Sequence, residues 1–354
     1  MRILYLSCHS VLEFDEVSLL TELGHYVFSP GAYVNPENRG EADLRPSIPG
    51  LYYDPEDVAL YHACGVAGSD NKAHLSVDLL KRFDLVIVMH VPEWIIGNLD
   101  AFRKADIPII WRTIGQAIEK QEAALRPIRE IGSAKPVNYF PLNIVRYSPL
   151  EEQIPGYIGA DAMIRFAKKP DEWAGWTGEV SQVLGVGQDV INRRKACAFD
   201  FWEEVSRPFP RLLIGRGSEA VRYGVGKVPL DELQTAMRRN RVFFYMPTHP
   251  ASYTLGLIEA MMTGIPVVSV GENHGNSPDI PGHKLFEVPY LLNGSPQAGF
   301  ASDDPFELAD FLGWMLRDHA AAQKVGYEGQ KLARSLFGWE GRKAEWKAYL
   351  KRFE

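Results

Sequence analysis

The stretch that decides the fold is Tyr245-Met-Pro-Thr-His-Pro-Ala-Ser-Tyr-Thr-Leu-Gly-Leu-Ile-Glu-Ala-Met-Met-Thr-Gly-Ile-Pro-Val-Val268. Its pattern predicts a strand, a loop, a helix over Leu255–Met262, a turn and a second strand. A loop that leads into a helix presents unpaired backbone N–H groups and the positive end of the helix dipole. We therefore expect a diphosphate-binding site where the helix begins, at Thr254 and Leu255.

Glu259 lies about one turn inside this predicted helix. A glutamate on a helix is often a solvated surface residue, but the neighbours of Glu259 are apolar: Leu255, Leu257, Ile258, Met261 and Met262. A buried carboxylate can accept hydrogen bonds from the vicinal hydroxyls of a ribose. We favour this role for Glu259.

Strand-like and helix-like runs alternate along both halves of the chain. The first half has predicted strands at 3–6, 26–28, 85–89 and 107–111, and predicted helices at 15–23, 75–82 and 95–104. The second half has strands at 183–186, 211–214, 242–246 and 266–270, and helices at 195–205, 230–238, 255–262, 305–317, 320–337 and 340–349. Alternation of this kind predicts an α/β fold with two doubly wound, Rossmann-like domains.

We place the domains at 1–175 and 176–335, followed by a C-terminal helix at 336–354 that could pack back on the first domain. Residues 30–74 are rich in Pro, Gly, Asn and Asp, which predicts an irregular insertion with little regular structure. This insertion either shapes an acceptor pocket or is a surface elaboration.

Composition excludes several other classes of protein. The 354 residues carry a net charge of -7, which gives no overall electrostatic footprint for nucleic acid. The three cysteines are far apart, which argues against a disulfide framework and a structural metal site and favours the cytoplasm. The longest apolar runs have the length of strands and fall short of the roughly 20 residues of a membrane span. We expect neither a metal nor a cofactor.

The segment Ala251–Val268 resembles the donor-site signature of the retaining GT-B glycosyltransferases, the group that includes bacterial mannosyl- and glucosyltransferases. In this resemblance Glu259 matches the glutamate that holds the ribose. Ala251 stands where the family has a second glutamate, which contacts the donor sugar, and Thr254 replaces a glycine. The resemblance implies two domains that face each other across a cleft.

Other segments of the second half extend the resemblance. Leu184-Gly-Val-Gly-Gln188, followed by Arg193, is similar to the strand and basic pair that neutralise the diphosphate. Gly215-Arg-Gly217 resembles the next glycine turn, and Tyr223–Val228 resembles the loop that holds the base. The residues implied as donor contacts are Gln188, Arg193, Lys195, Arg216, Gly217, Lys227, Val228, Ser252, Tyr253, Thr254, Leu255 and Glu259.

The first half matches more loosely, through Gly24-His25-Tyr-Val27 and Phe83-Asp-Leu-Val-Ile-Val-Met-His90. His90 ends an apolar strand, which directs it to the ligand crevice as a candidate catalytic residue, although a histidine there could equally cap a loop. Asp15 and Glu16 could be a base or simply first-turn carboxylates. The candidate acceptor contacts follow the first and fourth strands: His9, Ser10, Thr113, Gly115 and Gln116.

The resemblance implies a glycosyltransferase, hexosyl or pentosyl, with a UDP- or GDP-linked sugar as co-substrate and a retaining reaction without a metal. The acceptor could be a carbohydrate, a lipid-linked glycan, a small molecule or a modified nucleobase in DNA. The absence of a carboxylate at Ala251 could also mean a protein that binds a nucleotide sugar without catalysis. An epimerase of the same two-domain form is a further alternative. His249 could take over the sugar contact.

Overall fold

The computed structural model describes residues 1–31, 48–65, 74–115, 119–133, 142–280 and 282–354. The chain divides into two compact units, Met1–Ala167 with Arg342–Glu354, and Lys168–Gly341. Each unit contains its own parallel β-sheet with helices in the connections, so the predicted α/β class is confirmed.

The sheet of the first unit contains β1 (Arg2–Leu6), β2 (Tyr26–Phe28), β3 (Leu85–Met89), β4 (Ile109–Arg112), β5 (Leu142–Arg146) and β6 (Ala162–Met163). Their order in the sheet is β2-β1-β3-β4-β5-β6, and all neighbouring pairs are parallel. The chain passes from β1 to one side of the sheet and from β3 to the other. In a sheet of this kind, the ligand crevice is expected at the carboxyl ends of β1 and β3.

The helices of the first unit are α1 (Ser10–Glu22), α2 (Pro55–Ala63), α3 (Val77–Leu80), α4 (Glu93–Gly97), α5 (Leu99–Ala105) and α6 (Glu119–Ser133). The single helix predicted at 95–104 is two helices that meet at Asn98. The Asn98 side chain accepts a hydrogen bond from Leu75 N at 2.6 Å and donates one to Trp94 O at 3.0 Å. Its competing bonds to the backbone explain the break.

The segment 30–74 contains more regular structure than its composition predicts. Helix α2 begins after Asp54, whose side chain accepts from Glu56 N, and has Pro55 in its first turn. Asp57 of this helix is fully buried and accepts from Arg2 at 2.6 Å, from the Tyr26 hydroxyl at 2.6 Å and from Arg82. This cluster fixes α2 to the sheet. Residues 32–47 and 66–73 lie outside the described residues.

The sheet of the second unit contains β7 (Val180–Val186), β8 (Arg211–Ile214), β9 (Asn240–Tyr245), β10 (Val267–Val270) and β11 (Gly299–Ser302). Their order is β11-β10-β9-β7-β8, again with parallel pairing. Here the connections leave in opposite directions from β7 and β9. The ligand crevice of this sheet is therefore expected at the carboxyl ends of these two strands.

The later helices are α7 (Pro170–Trp173), α8 (Phe199–Ser206), α9 (Leu230–Arg239), α10 (Leu255–Thr263), α11 (Glu272–Gly275), α12 (Val288–Leu292), α13 (Pro305–Arg317), α14 (His319–Phe337) and α15 (Trp339–Leu350). The helix predicted at 195–205 begins only at Phe199, because Ala198 has a left-handed backbone with φ of 47°. Residues 189–198 form consecutive hydrogen-bonded turns instead. From Arg342 onward, α15 belongs to the first unit.

Candidate functional site

The carboxyl edge of the second sheet has a floor made of backbone. The loops after β7 and β8 pack against each other: Gly187 N donates to Ile214 O at 3.0 Å, and Asp189 N donates to Arg216 O at 2.8 Å. Gly215 has φ of 135°, and a Cβ atom there would lie 1.9 Å from Gly187 O. Only glycine permits this approach.

Gln188 and the glycine turn lie in this floor. The Gln188 Oε1 atom accepts a hydrogen bond from Arg216 N at 3.3 Å, so the side chain links the two loops. Gly217 has φ of 84°, and the Arg216 side chain is exposed. A diphosphate at this edge would meet backbone groups of these loops in addition to side chains.

Arg193 and Arg194 are adjacent in sequence but differ in their partners. The Arg194 guanidinium binds the carboxylates of Asp200 and Glu203, with 2.7 Å to Glu203. Arg193 is half-buried, and no carboxylate of the described chain pairs with its guanidinium within 4 Å. Lys195 is exposed and lies 2.5 Å from Asp279. Among the described residues, Arg194 and Lys195 therefore have carboxylate partners and Arg193 has none.

The predicted base-binding loop runs alongside β8. The backbone of Leu213 makes two hydrogen bonds with this loop. Leu213 N donates to Tyr223 O at 2.9 Å, and Leu213 O accepts from Val225 N at 3.1 Å. Gly215 N donates to Gly226 O at 2.9 Å, which fixes the loop against the glycine turn. Lys227 is exposed and Val228 is half-buried at the end of this loop.

Helix α10 begins at the same edge, directly after the loop that follows β9. Ser252 and Tyr253 are buried, and Thr254 is the N-cap residue. The Thr254 side chain does not cap the helix; its Oγ1 atom accepts from the buried Tyr245 hydroxyl at 3.1 Å. The first backbone N–H groups of α10, at Leu255 and Gly256, therefore donate no hydrogen bond to this side chain and can bind an anion.

Glu259 is buried in the second turn of α10, as its apolar neighbours indicate. Its Oε1 atom lies 2.7 Å from the Nζ atom of Lys168, and the two side chains are 7% and 1% exposed. Sequence reasoning missed Lys168, because nothing in its local pattern indicates a partner so distant along the chain. Contact between Glu259 and a ribose stays a prediction.

The loop after β9 holds no carboxylate at the position where the resemblance expects one. Ala251 is buried there, and the His249 Nε2 atom contacts His274 O at 2.9 Å. Burial is the main cause that lowers the pKa of His249, so the imidazole is neutral at neutral pH. A neutral imidazole can donate and accept hydrogen bonds but adds no negative charge beside a donor sugar.

In the first unit, His90 stands at the carboxyl end of β3 with φ of 61°, a left-handed backbone that is uncommon for histidine. Its N donates to Arg112 O at 2.8 Å, and its O accepts from Trp111 Nε1 at 2.9 Å, which holds this conformation. The Nδ1 atom is buried with no hydrogen-bond partner in the described part of the chain. Burial lowers the pKa of His90, which keeps a neutral imidazole available as a base.

His9 and Ser10 lie at the same edge as His90, because β1 and β3 are neighbours. The His9 Nδ1 atom accepts from Leu12 N at 3.3 Å and caps α1, which begins at Ser10. Glu16 of this helix lies in the core, where it binds Arg112 at 2.6 Å and accepts from Tyr5. Glu16 is therefore a structural carboxylate and not an available base.

The predicted acceptor residues after β4 have different environments. Thr113 is fully buried and its hydroxyl donates to Glu151 at 2.8 Å, so it organises the interior of the unit. Gly115 has a left-handed backbone with φ of 97°. Gln116 lies outside the described residues.

No protein-family model matches the sequence, and neither does any curated protein. The fold is similar to that of sucrose-phosphate synthase from Thermosynechococcus elongatus, with a TM-score of 0.64 and 15% identity over 99% of this chain and 98% of that one. Anabaena HepE, solved with UDP-glucose, gives 0.64 and 13% over 99% and 100%. A glycosyltransferase from Rickettsia africae gives 0.63 and 12% over 99% and 98%.

Two kinds of feature are missing from the described residues. No helix there is long and apolar enough to cross a membrane. No group of three His, Cys, Asp or Glu side chains there could hold a metal ion.

The similar structures are glycosyltransferases of the GT-B type, and each covers 99% of this chain. The chain therefore has the GT-B fold, with two Rossmann-like α/β domains.

Proposed function

We propose that the protein is a glycosyltransferase that moves a hexosyl or pentosyl group from a UDP- or GDP-linked donor to a hydroxyl acceptor. The observation that carries this proposal is the convergence of three features at the carboxyl edge of the second sheet. These are the glycine floor at Gly187 and Gly215, the uncapped first turn of α10, and the guanidinium of Arg193. Together they offer backbone donors and one positive charge to a diphosphate.

In this proposal the donor binds along the edge of the second unit. The diphosphate contacts Arg193 and the N–H groups of Leu255 and Gly256. The base lies against the loop that ends at Lys227 and Val228, and the ribose lies toward Glu259. HepE, which shares the fold, binds UDP-glucose, and this supports a nucleotide sugar as the donor.

The proposed reaction is driven by departure of the nucleoside diphosphate. The bond between the anomeric carbon and the phosphate oxygen breaks, its electron pair stays on the diphosphate, and the acceptor oxygen bonds to the anomeric carbon. Negative charge grows on the leaving oxygen, where Arg193 and the α10 amides can stabilise it without a metal ion. We propose that the configuration at the anomeric carbon is retained, because the segment Ala251–Val268 resembles the donor-site signature of retaining enzymes.

We place the acceptor in the first unit, at the carboxyl ends of β1 and β3. His9, Ser10 and His90 share this edge, and the neutral imidazole of His90 can accept the proton that the acceptor hydroxyl loses.

The three free cysteines fit a reducing compartment such as the cytoplasm.

The test is a thermal-shift screen with UDP, GDP and ADP and their sugar conjugates, run on the wild type, Arg193→Ala and Arg194→Ala. A ligand that binds the folded state raises the melting temperature by mass action. We expect one nucleotide to stabilise the wild type and Arg194→Ala alike. Loss of a charge-assisted bond to phosphate should weaken binding to Arg193→Ala about tenfold or more.

Arg194 is the matched control, because it is the same residue type one position away and its guanidinium is engaged by carboxylates. If no nucleotide shifts the wild type, the proposed donor site is wrong. If a nucleotide binds but is never consumed with any acceptor, the protein is a binding protein. Conversion of the donor sugar without an acceptor would indicate an epimerase.

A further inference from the structure

Lys168 and Glu259 form an ion pair with almost no exposure to water, at 1% and 7%. Removing two charges from water is costly, and a buried pair of this kind contributes little net stability compared with apolar side chains of the same size. A pair that stability does not require is better explained by what it positions. Glu259 lies on the helix whose first turn forms part of the proposed donor site.

The backbone of Lys168 is held firmly by the segment that joins α14 to α15. Lys168 N donates to Phe337 O at 2.9 Å, and Lys168 O accepts from Trp339 N at 3.1 Å. Its Nζ atom lies 5.8 Å from the centre of the buried Trp173 ring. These contacts of its backbone and side chain hold the Lys168 ammonium group in one position.

The backbone of Glu259 is fixed as well. Helix α10 packs closely on α14, where a Cβ atom at Gly326 would lie 2.0 Å from Gly264 O. The Thr263 hydroxyl donates to Glu259 O at 2.8 Å. With both backbones fixed, the torsions of the Glu259 side chain decide where its carboxylate points, and the bond to Lys168 selects among them.

We propose that Lys168 is a positioning residue for the donor, which orients the Glu259 carboxylate for the ribose hydroxyls. This inference rests on the proposed function. An ionised carboxylate offers about four acceptor sites, so one ammonium group does not by itself exhaust its capacity. The ammonium group also compensates the buried negative charge that must be present to accept from two hydroxyls.

The test compares two ligands that differ only in the ribose hydroxyls. The probe is the nucleoside diphosphate that the screen selects among UDP, GDP and ADP, together with its 2′,3′-dideoxy analogue, and Kd is measured by calorimetry. Lys168→Met keeps the volume of the side chain and removes its charge. We expect it to weaken the ribonucleotide about tenfold, in line with a charged hydrogen bond, and the dideoxy analogue less than about twofold.

Two further variants separate positioning from packing. Lys168→Arg keeps a cation and should recover most of the affinity. In the Glu259→Gln background, Lys168→Met should have no further effect on Kd, because Lys168 acts through the carboxylate. The inference is overturned if Lys168→Met weakens both ligands equally or leaves the ribonucleotide unchanged.

Should Lys168→Met fail to fold, a crystal structure of the wild type with the selected nucleotide decides the matter. We expect a Glu259 oxygen within hydrogen-bond distance of a ribose hydroxyl while the carboxylate stays bound to Lys168. A bound nucleotide whose ribose lies away from Glu259 overturns the inference and leaves the proposed function standing. A wild type that binds no nucleoside diphosphate contradicts both.

Discussion

The substitution Gly215→Ala tests whether the backbone floor of the candidate site is as tight as it is described. The new Cβ atom would lie 1.9 Å from Gly187 O, and an L residue would have to adopt φ of 135°. A backbone in such a sparsely populated region costs about 1–3 kcal/mol. Relief of the overlap, by moving the loops apart, costs about 1–3 kcal/mol more.

The control variant is Gly282→Ala, in the same unit. Gly282 also has a left-handed backbone, with φ of 71°, but a Cβ atom there would have no neighbour within 4 Å in the described chain. Its cost is therefore the backbone strain alone, about 1–2 kcal/mol. The difference between the two variants reports the overlap of the loops after β7 and β8, together with any extra strain of φ of 135° over φ of 71°.

Calorimetry gives the melting temperature, and one kcal/mol corresponds to roughly 2–4 °C for a unit of this size. We expect Gly215→Ala to melt several degrees below Gly282→Ala and to bind the nucleoside diphosphate more weakly, because separated loops displace Gln188. Equal melting temperatures with unchanged nucleotide affinity would refute the account of the floor.

The structure also predicts how substitutions at three other buried or half-buried residues change stability. Asp57→Ala removes the buried acceptor of two arginines and a tyrosine and should lower the unfolding free energy in urea by about 2–3 kcal/mol, whereas the exposed Asp100→Ala should cost under about 0.5 kcal/mol. Arg112→Met leaves Glu16 buried without its cation and should cost about 3–5 kcal/mol; a loss below about 1 kcal/mol would show that the pair is solvated. Burial lowers the pKa of His283 to about 4, so the unfolded chain binds more protons below pH 6.5 and stability should fall as the pH drops from 6.5 toward 4. His283→Gln should flatten that part of the stability profile measured by urea titration.

The strands that the sequence predicts well contain at least three consecutive apolar residues. The prediction at Leu85–Met89 coincides with β3, whose five residues are all buried, and Arg211–Ile214 coincides with β8. The sequence does not predict β5, because Asn143 and Arg146 interrupt its apolar run. In the structure Asn143 donates to Ile109 O, and Arg146 binds Glu122 at 2.6 Å. These distant partners make the polar residues compatible with a buried strand, and no local pattern reveals them.

The candidate site likewise has features that the sequence predicts and features that depend on distant partners. The loops after strand ends are predictable, because the carboxyl ends of parallel strands share one edge and ligands bind there. What each side chain does in those loops depends on partners elsewhere in the chain. Gln188 links two loops through Arg216 N, and Thr113 donates to Glu151 inside the first unit. For both residues, the structure shows a partner that the sequence could not show.

The partners of each residue determine whether its substitution should change nucleotide affinity, stability or both. Arg193 has no carboxylate partner in the described chain, so its loss should appear in nucleotide affinity and hardly in stability. Thr113 is buried and its hydroxyl donates to Glu151, so Thr113→Val should lower stability by the loss of one hydrogen bond, whether or not an acceptor is present; the same Glu151 oxygen keeps the bond from Tyr147 N. Glu259 is both buried in a pair and located on the donor helix, so its loss should appear in both measurements. Only a ligand without ribose hydroxyls can separate the two effects, since it removes the proposed contact while the Lys168 pair stays intact.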